Sequence, residues 1–517
     1  MRQAKYPVAL MLVGCGALGG AVLVVFTPWG LGLSPDSAVY IGGARGLVQG
    51  NGVSLPTESG GFAPIVHYPP LYPALLASLG VVGLDPFKAA RWLNAFFFAT
   101  NIFLVGWLVF VATRAVGLAV CASALMMTSF PVVQAHTMAW SEPLFIFFEL
   151  SGSLFLFFYL QQGSYRNLVA SSLAVGLSAI SRYAGIAFLM SGSISVLLLS
   201  HKTGKRRVGD AAVFLMLAAI PILFWTGRNW FFSGSVVNRS VSVHLMGWEH
   251  LGAIFVTVLS WFSIPLFDLT EGQSLLLGWI ALSVLGVWLW IWHRSREPEV
   301  AASQTSVVLA AMMLAILIAY ISVLSVTISF LDYQTPIDSR ILAPGYPALM
   351  LLGVSLVGIF VRPRTMGNQN QWILCAIAFI FLTLQATSTW PWLIFSYREG
   401  VGYASRHWAA SEVVQRIKVI EPSTALFSNA PDVLFTLLGR PAGMIPRKVN
   451  PDSRAENQQF YSQLAQMKHD MKMSNGVLVY FDRVAWRWYL PERKELETAM
   501  GLRLIFAGND GAIYRVD

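Results

Sequence analysis

The sequence predicts an all-α polytopic membrane protein of about eleven transmembrane helices carrying a small C-terminal α/β domain. Three observations lead there. Hydrophobic residues make up 56% of the 517 and charged residues only 12%, with a mean hydropathy of +0.60, whereas soluble domains carry about 25% charge. Apolar runs long enough to cross a hydrocarbon core recur along residues 1–395. The charge is uneven: residues 396–517 hold 16 basic and 13 acidic side chains, against 19 and 13 in the much longer remainder. Two parts follow, a membrane domain over 1–395 and a small domain over 396–517.

The expected spans lie near 7–27, 88–112, 115–135, 142–160, 211–230, 274–292, 305–330, 341–361 and 371–395. Residues 167–200 supply two short helices, because Ser181-Arg182-Tyr183 interrupts them and an arginine is costly at mid-membrane. Residues 251–267 are apolar but short and contain Pro265; they read as an interfacial or re-entrant helix. Basic residues set the orientation. Arg2 and Lys5, Arg114, Arg166, the group Lys202, Lys205, Arg206 and Arg207, then Arg294 and Arg296, and Arg362 and Arg364 fall in alternate loops. The intervening loops hold few, among them Arg45, Arg182, Arg239 and Arg340. By the positive-inside rule the N-terminus is cytoplasmic, and an odd number of spans sends the first loop and the C-terminal domain outside. The N-terminal run is longer than a secretory signal and lacks a clear cleavage site before Pro28, so an uncleaved anchor is expected.

The net charge of +9 does not point to nucleic acid, since in the membrane part it resides in short orienting loops. Cys15, Cys121 and Cys375 all lie inside apolar runs, which argues for packing rather than disulfides or zinc. In the C-terminal part, residues 405–417 have helical spacing with Ser405 as N-cap. Residues 424–429 and 476–481 read as strands, and 502–516 as a hairpin turning at Asp510-Gly511. No phosphate loop, zinc spacing or nucleophile elbow is present there, and the domain reads as a cap over the outer face.

The loop 28–87 is long and semi-apolar, with short surface helices expected at 37–49 and 71–82. It contains the first acid of the chain, Asp36, with Arg45 and "HYPPLYP" over 67–73, which holds His67, Tyr68 and Tyr72. Alone, Asp36 reads as a helix N-cap after Ser34-Pro35. Glu142 stands at the outer entrance of the fourth span, where pairing with the helix dipole is an equally good account. Glu149 lies seven residues on, along roughly the same face, and reads first as a polar packing contact. Arg182 and Arg340 sit at outer ends of spans, where arginine either snorkels to headgroups or holds phosphate bidentately.

Taken in order, "PDSAVYIGGARGLVQGNG", "YPPLYPALLA", "SEPLF", "SRYAG" and "SRILAPGYPAL" resemble the membrane-embedded GT-C glycosyltransferases, in particular the bacterial branch related to protein O-mannosyltransferases and the lipid A aminoarabinose transferases. The likeness spans nearly the whole chain. It implies a plasma-membrane enzyme that moves a sugar from a polyprenyl-phosphate carrier to a glycan, lipid or protein acceptor outside the cytoplasm. It implies Asp36 as catalytic base with Glu142 as the second acid. Arg45, His67, Tyr68, Tyr72, Arg182, Tyr183 and Arg340 are then the candidate substrate contacts. A divalent metal (Mg or Mn) held between Asp36 and Glu142 stays open as an alternative to the arginines. The chain departs from the pattern in having Ser37, not a second acid, after Asp36, and His67-Tyr68 where aminoarabinose transferases carry a lysine.

The chemistry agrees with the residues. Glycosyl transfer from a phosphate carrier needs a base for the acceptor hydroxyl and positive charge for the phosphate as its bond to the sugar breaks. The largest inward loop, about 200–210, is too short to bind a nucleotide sugar, as a lipid-borne donor would allow. A flippase for lipid-linked saccharides, a surface-polysaccharide ligase or polymerase, and a non-catalytic carrier-binding protein are the other readings open at this point.

Overall fold

The computed structural model describes residues 5–57, 61–237, 241, 243–262, 301–333, 335–360, 368–451 and 454–516. The expected span 274–292 and the basic loop residues Arg239, Arg294, Arg296, Arg362 and Arg364 lie outside them. Six helices are long and apolar enough to cross a membrane among the described residues, as an integral membrane protein requires.

The first, α1 (Lys5–Phe26), packs along α4 (Pro86–Thr113). A β-carbon on Gly16 would stand 2.4 Å from the Ala99 carbonyl oxygen, so glycine there permits the close crossing. Between them run α2 (Pro35–Val48), the hairpin β1 (Ser54–Pro56) and β2 (Phe62–Pro64), and α3 (Leu71–Val81). Helices are therefore present in both stretches of the first loop where they were expected, and most of α2 is buried. Asp85 begins α4 by accepting from the Phe87 amide at 3.0 Å.

The expected span near 115–135 is made of two helices, α5 (Val116–Thr128) and α6 (Phe130–Thr137), bent by 55°. Ser129 is extended between them and Pro131 sits in the first turn of α6, where proline lacks the amide that would continue the ladder. The bend delivers residues 138–141 to the start of α7 (Glu142–Gln162). Next come α8 (Tyr165–Ala179) and α9 (Ile186–Leu199), which meet at Arg182 as the sequence indicated. They are followed by α10 (Gly204–Ser233), α11 (Trp248–Ser260), α12 (Ala301–Val326), the single turn α13 (Ser339–Leu342), α14 (Gly345–Phe360) and α15 (Asn368–Glu399).

Two ends of the bundle can be told apart. Glu142 opens α7 at one end; Tyr159, near the other end of the same helix, bonds Asp210, which also pairs with Lys202 at 2.7 Å. The basic group at 202–207 is thus most of a helix length, roughly 25 Å, from Glu142. The first loop and the C-terminal part share the end with Glu142, where Ser396 bonds the Phe26 carbonyl and Trp29 bonds that of Tyr397.

The C-terminal part is an α/β unit around a five-stranded sheet of order β4-β3-β5-β7-β6. Its strands are β3 (Leu426–Ser428), β4 (Gly443–Met444), β5 (Val477–Phe481), β6 (Leu502–Gly508) and β7 (Gly511–Val516). β3 pairs parallel with β4 and β5; β7 pairs antiparallel with β5 and β6. The strands expected at 424–429 and 476–481 are there, and so is the hairpin over 502–516, but its two turn residues are Asn509 and Asp510, with Gly511 already paired to Gly508 as the first residue of β7. The single helix expected over 405–417 is broken into α16 (Arg406–Ala409) and α17 (Glu412–Lys418). Ser411, rather than Ser405, supplies the side-chain cap, accepting from the Val414 amide. The remaining helices are α18 (Pro431–Leu438), α19 (Phe460–Met473) and α20 (Arg493–Met500).

Candidate active site

Asp36 is not the cap of its helix. Ser34 is: its hydroxyl accepts from the Ser37 amide while the Ser37 hydroxyl accepts from the Ser34 amide, a reciprocal capping box. That leaves the Asp36 carboxylate, in the first turn of α2, free to point elsewhere. Its Oδ2 lies 2.5 Å from Arg340 Nη2, and its Oδ1 accepts from the Tyr68 hydroxyl at 2.7 Å. Arg340 in turn donates through Nε to Glu142 Oε1 at 2.7 Å, and the same oxygen takes Arg182 Nη1 at 2.6 Å. Four charged residues from the first loop, the start of α7, the α8–α9 junction and α13 thus form one chain of contacts with no net charge.

Exposure varies along this chain. The Asp36 and Arg340 side chains are 24% and 19% exposed, while Glu142 is at 0%. The acid at the helix entrance is therefore the buried foundation and Asp36 the accessible edge. Burial pushes the Asp36 carboxyl up, but the Arg340 guanidinium, the Tyr68 hydroxyl and the Arg182 charge outweigh it and hold the group below its ordinary value of 3.8. Burial works against the charge on Arg340 too, and Glu142 and Asp36 overcome it, keeping the guanidinium charged.

Aromatic groups frame the charges. The Arg340 guanidinium lies over the Trp140 ring, 4.0 Å from its centre, a cation–π contact that fixes its plane. The Trp140 indole donates to Ser34 Oγ at 2.8 Å. Tyr40, one turn after Asp36, shares a hydrogen bond of 3.0 Å with the Ser141 hydroxyl, which also accepts from Arg182 at 3.4 Å. The Tyr40 ring meets those of Tyr68 and Tyr72 edge-on, and burial pushes its hydroxyl up to about 12. It is a neutral donor or acceptor at any physiological pH.

Two polar atoms of this assembly are buried without a hydrogen-bond partner: Glu142 Oε2 and Arg182 Nε. An unmet buried acceptor and an unmet buried donor are each costly unless something supplies the missing bond.

The sequence-derived candidates divide clearly. Asp36, Glu142, Arg182, Arg340 and Tyr68 come together. His67 lies against Tyr68, ring to ring at 5.1 Å. Tyr72 is buried behind them and donates to Asn94. Tyr183 holds the loop rather than the charges, donating to the Val66 carbonyl and accepting from the Trp225 indole. Arg45 is not brought in. It sits nine residues along α2 from Asp36 and pairs with Asp85 at 3.2 Å near the surface. Tyr40, Trp140, Ser141 and Ser34 were missed by sequence reasoning. Tyr40 had a usable signal, since it falls four residues after Asp36 and hence on the same helical face. Glu149 lies outside the assembly, its Oε2 buried and unpartnered in a small cavity with Ser153, Ser191 and Met312.

No family model matches the sequence, and no curated protein sequence matches it either. Solved structures do. ArnT from Cupriavidus metallidurans bound to undecaprenyl phosphate aligns over 98% of this chain and 97% of its own, with a TM-score of 0.57 at 13% identity. The fold is that of the GT-C membrane glycosyltransferases. The archaeal oligosaccharyltransferase AglB from Archaeoglobus fulgidus, in complex with an inhibitory peptide and a dolichol-phosphate, shares it over 99% of this chain and 74% of its own (TM-score 0.56, 12% identity). The oligosaccharyltransferase of the same organism in complex with Zn and sulfate aligns over 98% and 73% (TM-score 0.53, 12% identity). Among its described residues this chain offers no donor set for a divalent ion. The space between Asp36 and Glu142 is filled by the Arg340 guanidinium, and among the described residues no group of three His, Cys, Asp or Glu side chains could hold a metal.

Proposed function

We propose that this protein transfers a sugar from a polyprenyl-phosphate carrier to a hydroxyl of a glycan, lipid or protein acceptor at the extracytoplasmic face of the plasma membrane. The observation that carries the reading is the sharing of Arg340 between an accessible carboxylate, Asp36, and a buried one, Glu142. Glu142 holds both guanidinium groups in place, while Asp36 can exchange its partner for a substrate.

In this scheme the carrier phosphate docks on Arg340 and Arg182, which suit a phosphate through their forked donors. The bond between the sugar's anomeric carbon and the phosphate oxygen breaks, and the two guanidinium groups stabilise the charge left on the polyprenyl phosphate. The acceptor oxygen forms the new bond to the anomeric carbon, and its proton passes to Asp36. Tyr68 orients the Asp36 carboxylate through Oδ1. No step passes through a metal ion. The unmet Glu142 Oε2 and Arg182 Nε suit a donor that brings sugar hydroxyls and phosphate oxygens together.

The test is reconstitution in liposomes with a panel of polyprenyl-phosphate sugars, comparing the native chain with Asp36→Asn. The expected outcome is transfer by the native chain from at least one donor and its loss in a variant that melts normally. Undiminished turnover by the folded variant contradicts the assignment. Transmembrane movement of the carrier without transfer would instead indicate a flippase.

A further inference from the structure

The C-terminal α/β unit reaches the helix bearing Asp36 by three routes. The segment leading into α2 is hydrogen-bonded on both sides. On one, Gly32 donates to the Thr137 carbonyl at 2.8 Å and Ala139 donates back to Gly32 at 2.9 Å. On the other, Leu33 donates to Val401 at 3.3 Å and Tyr403 donates back to Leu33 at 2.9 Å. The stretch 32–33 is therefore the middle strand of a miniature three-stranded arrangement, immediately before the Ser34 cap. Gly402 makes the pairing possible: its φ is +58°, and a β-carbon there would stand 1.9 Å from the Leu33 carbonyl oxygen.

The second route runs through Tyr403. Its hydroxyl donates to Asp432 Oδ2 at 2.6 Å, and Asp432, in the first turn of α18, is held by both oxygens at 2.8 Å from Arg487 Nη2. Arg487 is 5% exposed and also donates to the Asn429 carbonyl after β3. The third route is direct packing of α18 on α2, where a β-carbon on Gly42 would meet the Phe435 ring at 2.6 Å.

We infer that the C-terminal unit positions the base: Gly402 and Tyr403 clamp the start of α2 so that Asp36 is aimed at the acceptor. This rests on the proposed glycosyl transfer. Neither residue touches the Asp36–Arg340–Glu142–Arg182 assembly, so both are positioning residues. The phosphate side is anchored separately, through Glu142 on α7, and loosening the clamp should misaim the base while sparing the carrier's binding.

The experiment uses the full-length chain in nanodiscs, with Gly402→Ala, Tyr403→Phe and, as control, Lys448→Ala, which removes only an exposed pair with Glu495. Two quantities are read: steady-state transfer, and hydrogen exchange of the peptide covering 32–48. Gly402→Ala is expected to lower kcat roughly ten- to a hundredfold, as a misaimed group does, with KM for the polyprenyl-phosphate sugar unchanged and faster exchange confined to 32–48. Tyr403→Phe should move both in the same direction by less, and the control should move neither. Wild-type kcat and exchange in folded Gly402→Ala overturn the inference. So does a joint change of kcat and KM with exchange rising throughout the protein, the mark of general destabilisation. Should Gly402→Ala fail to fold, unchanged kcat and exchange in Tyr403→Phe overturn it instead. If the native chain transfers no sugar at all, the functional reading fails, and the exchange of 32–48 still decides whether the clamp exists.

Discussion

Two buried ion clusters sit a short distance apart in this protein and are built differently. In the C-terminal unit, Asp432 and Arg487 form a closed pair: both carboxylate oxygens are engaged, one also takes the Tyr403 hydroxyl, and Arg487 spends another nitrogen on a carbonyl. In the membrane part, Glu142 uses one oxygen twice and the other not at all, and Asp36 shares its arginine with Glu142. The cohesive cluster satisfies both of its carboxylate oxygens, although Arg487 Nε, like Arg182 Nε, is buried without a partner. What sets the membrane cluster apart is an unmet carboxylate oxygen, Glu142 Oε2, near an accessible carboxylate, an arrangement suited to a ligand.

Breaking the centre of the open cluster should have the largest effect. Arg340→Met strands Asp36 and Glu142 on opposite sides of a missing charge; removing one partner of a buried pair costs about 3–5 kcal/mol. Reduced thermal stability together with abolished transfer is expected, and Arg340→Lys should restore more stability than activity, since a single ammonium cannot serve both carboxylates in the guanidinium's plane. Asp36→Asn should act chiefly on chemistry. Loss of a general base lowers the rate by roughly 10² to 10⁴, while the melting temperature falls less than in Arg340→Met because Arg340 keeps Glu142. The closed pair should behave oppositely. Arg487→Met alone should destabilise the C-terminal unit, and adding Asp432→Leu should recover part of the loss, because a purely structural ion pair can be exchanged for apolar packing. No comparable double replacement at Asp36 and Arg340 should restore transfer.

Smaller effects sharpen the same contrast. Glu149→Leu removes a buried carboxyl that has no partner, so a stability gain of about 1 kcal/mol is expected in chemical denaturation, with transfer unchanged. The pH dependence follows from the sign of the Asp36 shift. Its folded-state value is lowered, so its contribution to stability is complete above the ordinary carboxylate range and fades only as pH falls through the lower, folded-state value. The acid limb of kcat/KM assigned to this group should accordingly lie below pH 3.8. Once a carrier phosphate competes for Arg340, the carboxylate loses part of its support, and the acid limb of kcat should lie higher than that of kcat/KM.

Much of this was legible in the sequence, and the reasons are physical. Apolar runs and alternate basic loops mark spans through their length and solvation, so α1, α4, α7 and α10 fall where hydropathy puts them, and Arg182 announces the break between α8 and α9 by its cost in a membrane. Strands β3 and β5 and the β6–β7 hairpin are likewise local signals, although the turn falls one residue earlier than expected, at Asn509-Asp510. The bend at Ser129 was missed because Pro131 lies within an otherwise unbroken apolar run, and periodicity does not report a break of one residue. At the site, Asp36, Glu142, Arg182 and Arg340 were found because charged residues are rare at span ends. Arg45 satisfied the same criterion and yet belongs to a surface pair with Asp85, since nothing local tells which way a guanidinium turns. Trp140 and Ser141 were invisible for the complementary reason: uncharged residues acquire their role only when the kink before α7 brings them under Arg340 and beside Tyr40.

Binding of a short-chain polyprenyl phosphate by calorimetry in nanodiscs tests the central claim most directly, with the native chain, Arg340→Gln and Asp36→Asn side by side. If Arg340 is the group that exchanges a carboxylate for a phosphate, Arg340→Gln binds at least about tenfold more weakly, the worth of a charge-assisted hydrogen bond. Asp36→Asn then binds as tightly as the native chain or more tightly, because the competing carboxylate is gone. Equal binding by Arg340→Gln, or a parallel loss in Asp36→Asn, would contradict the account.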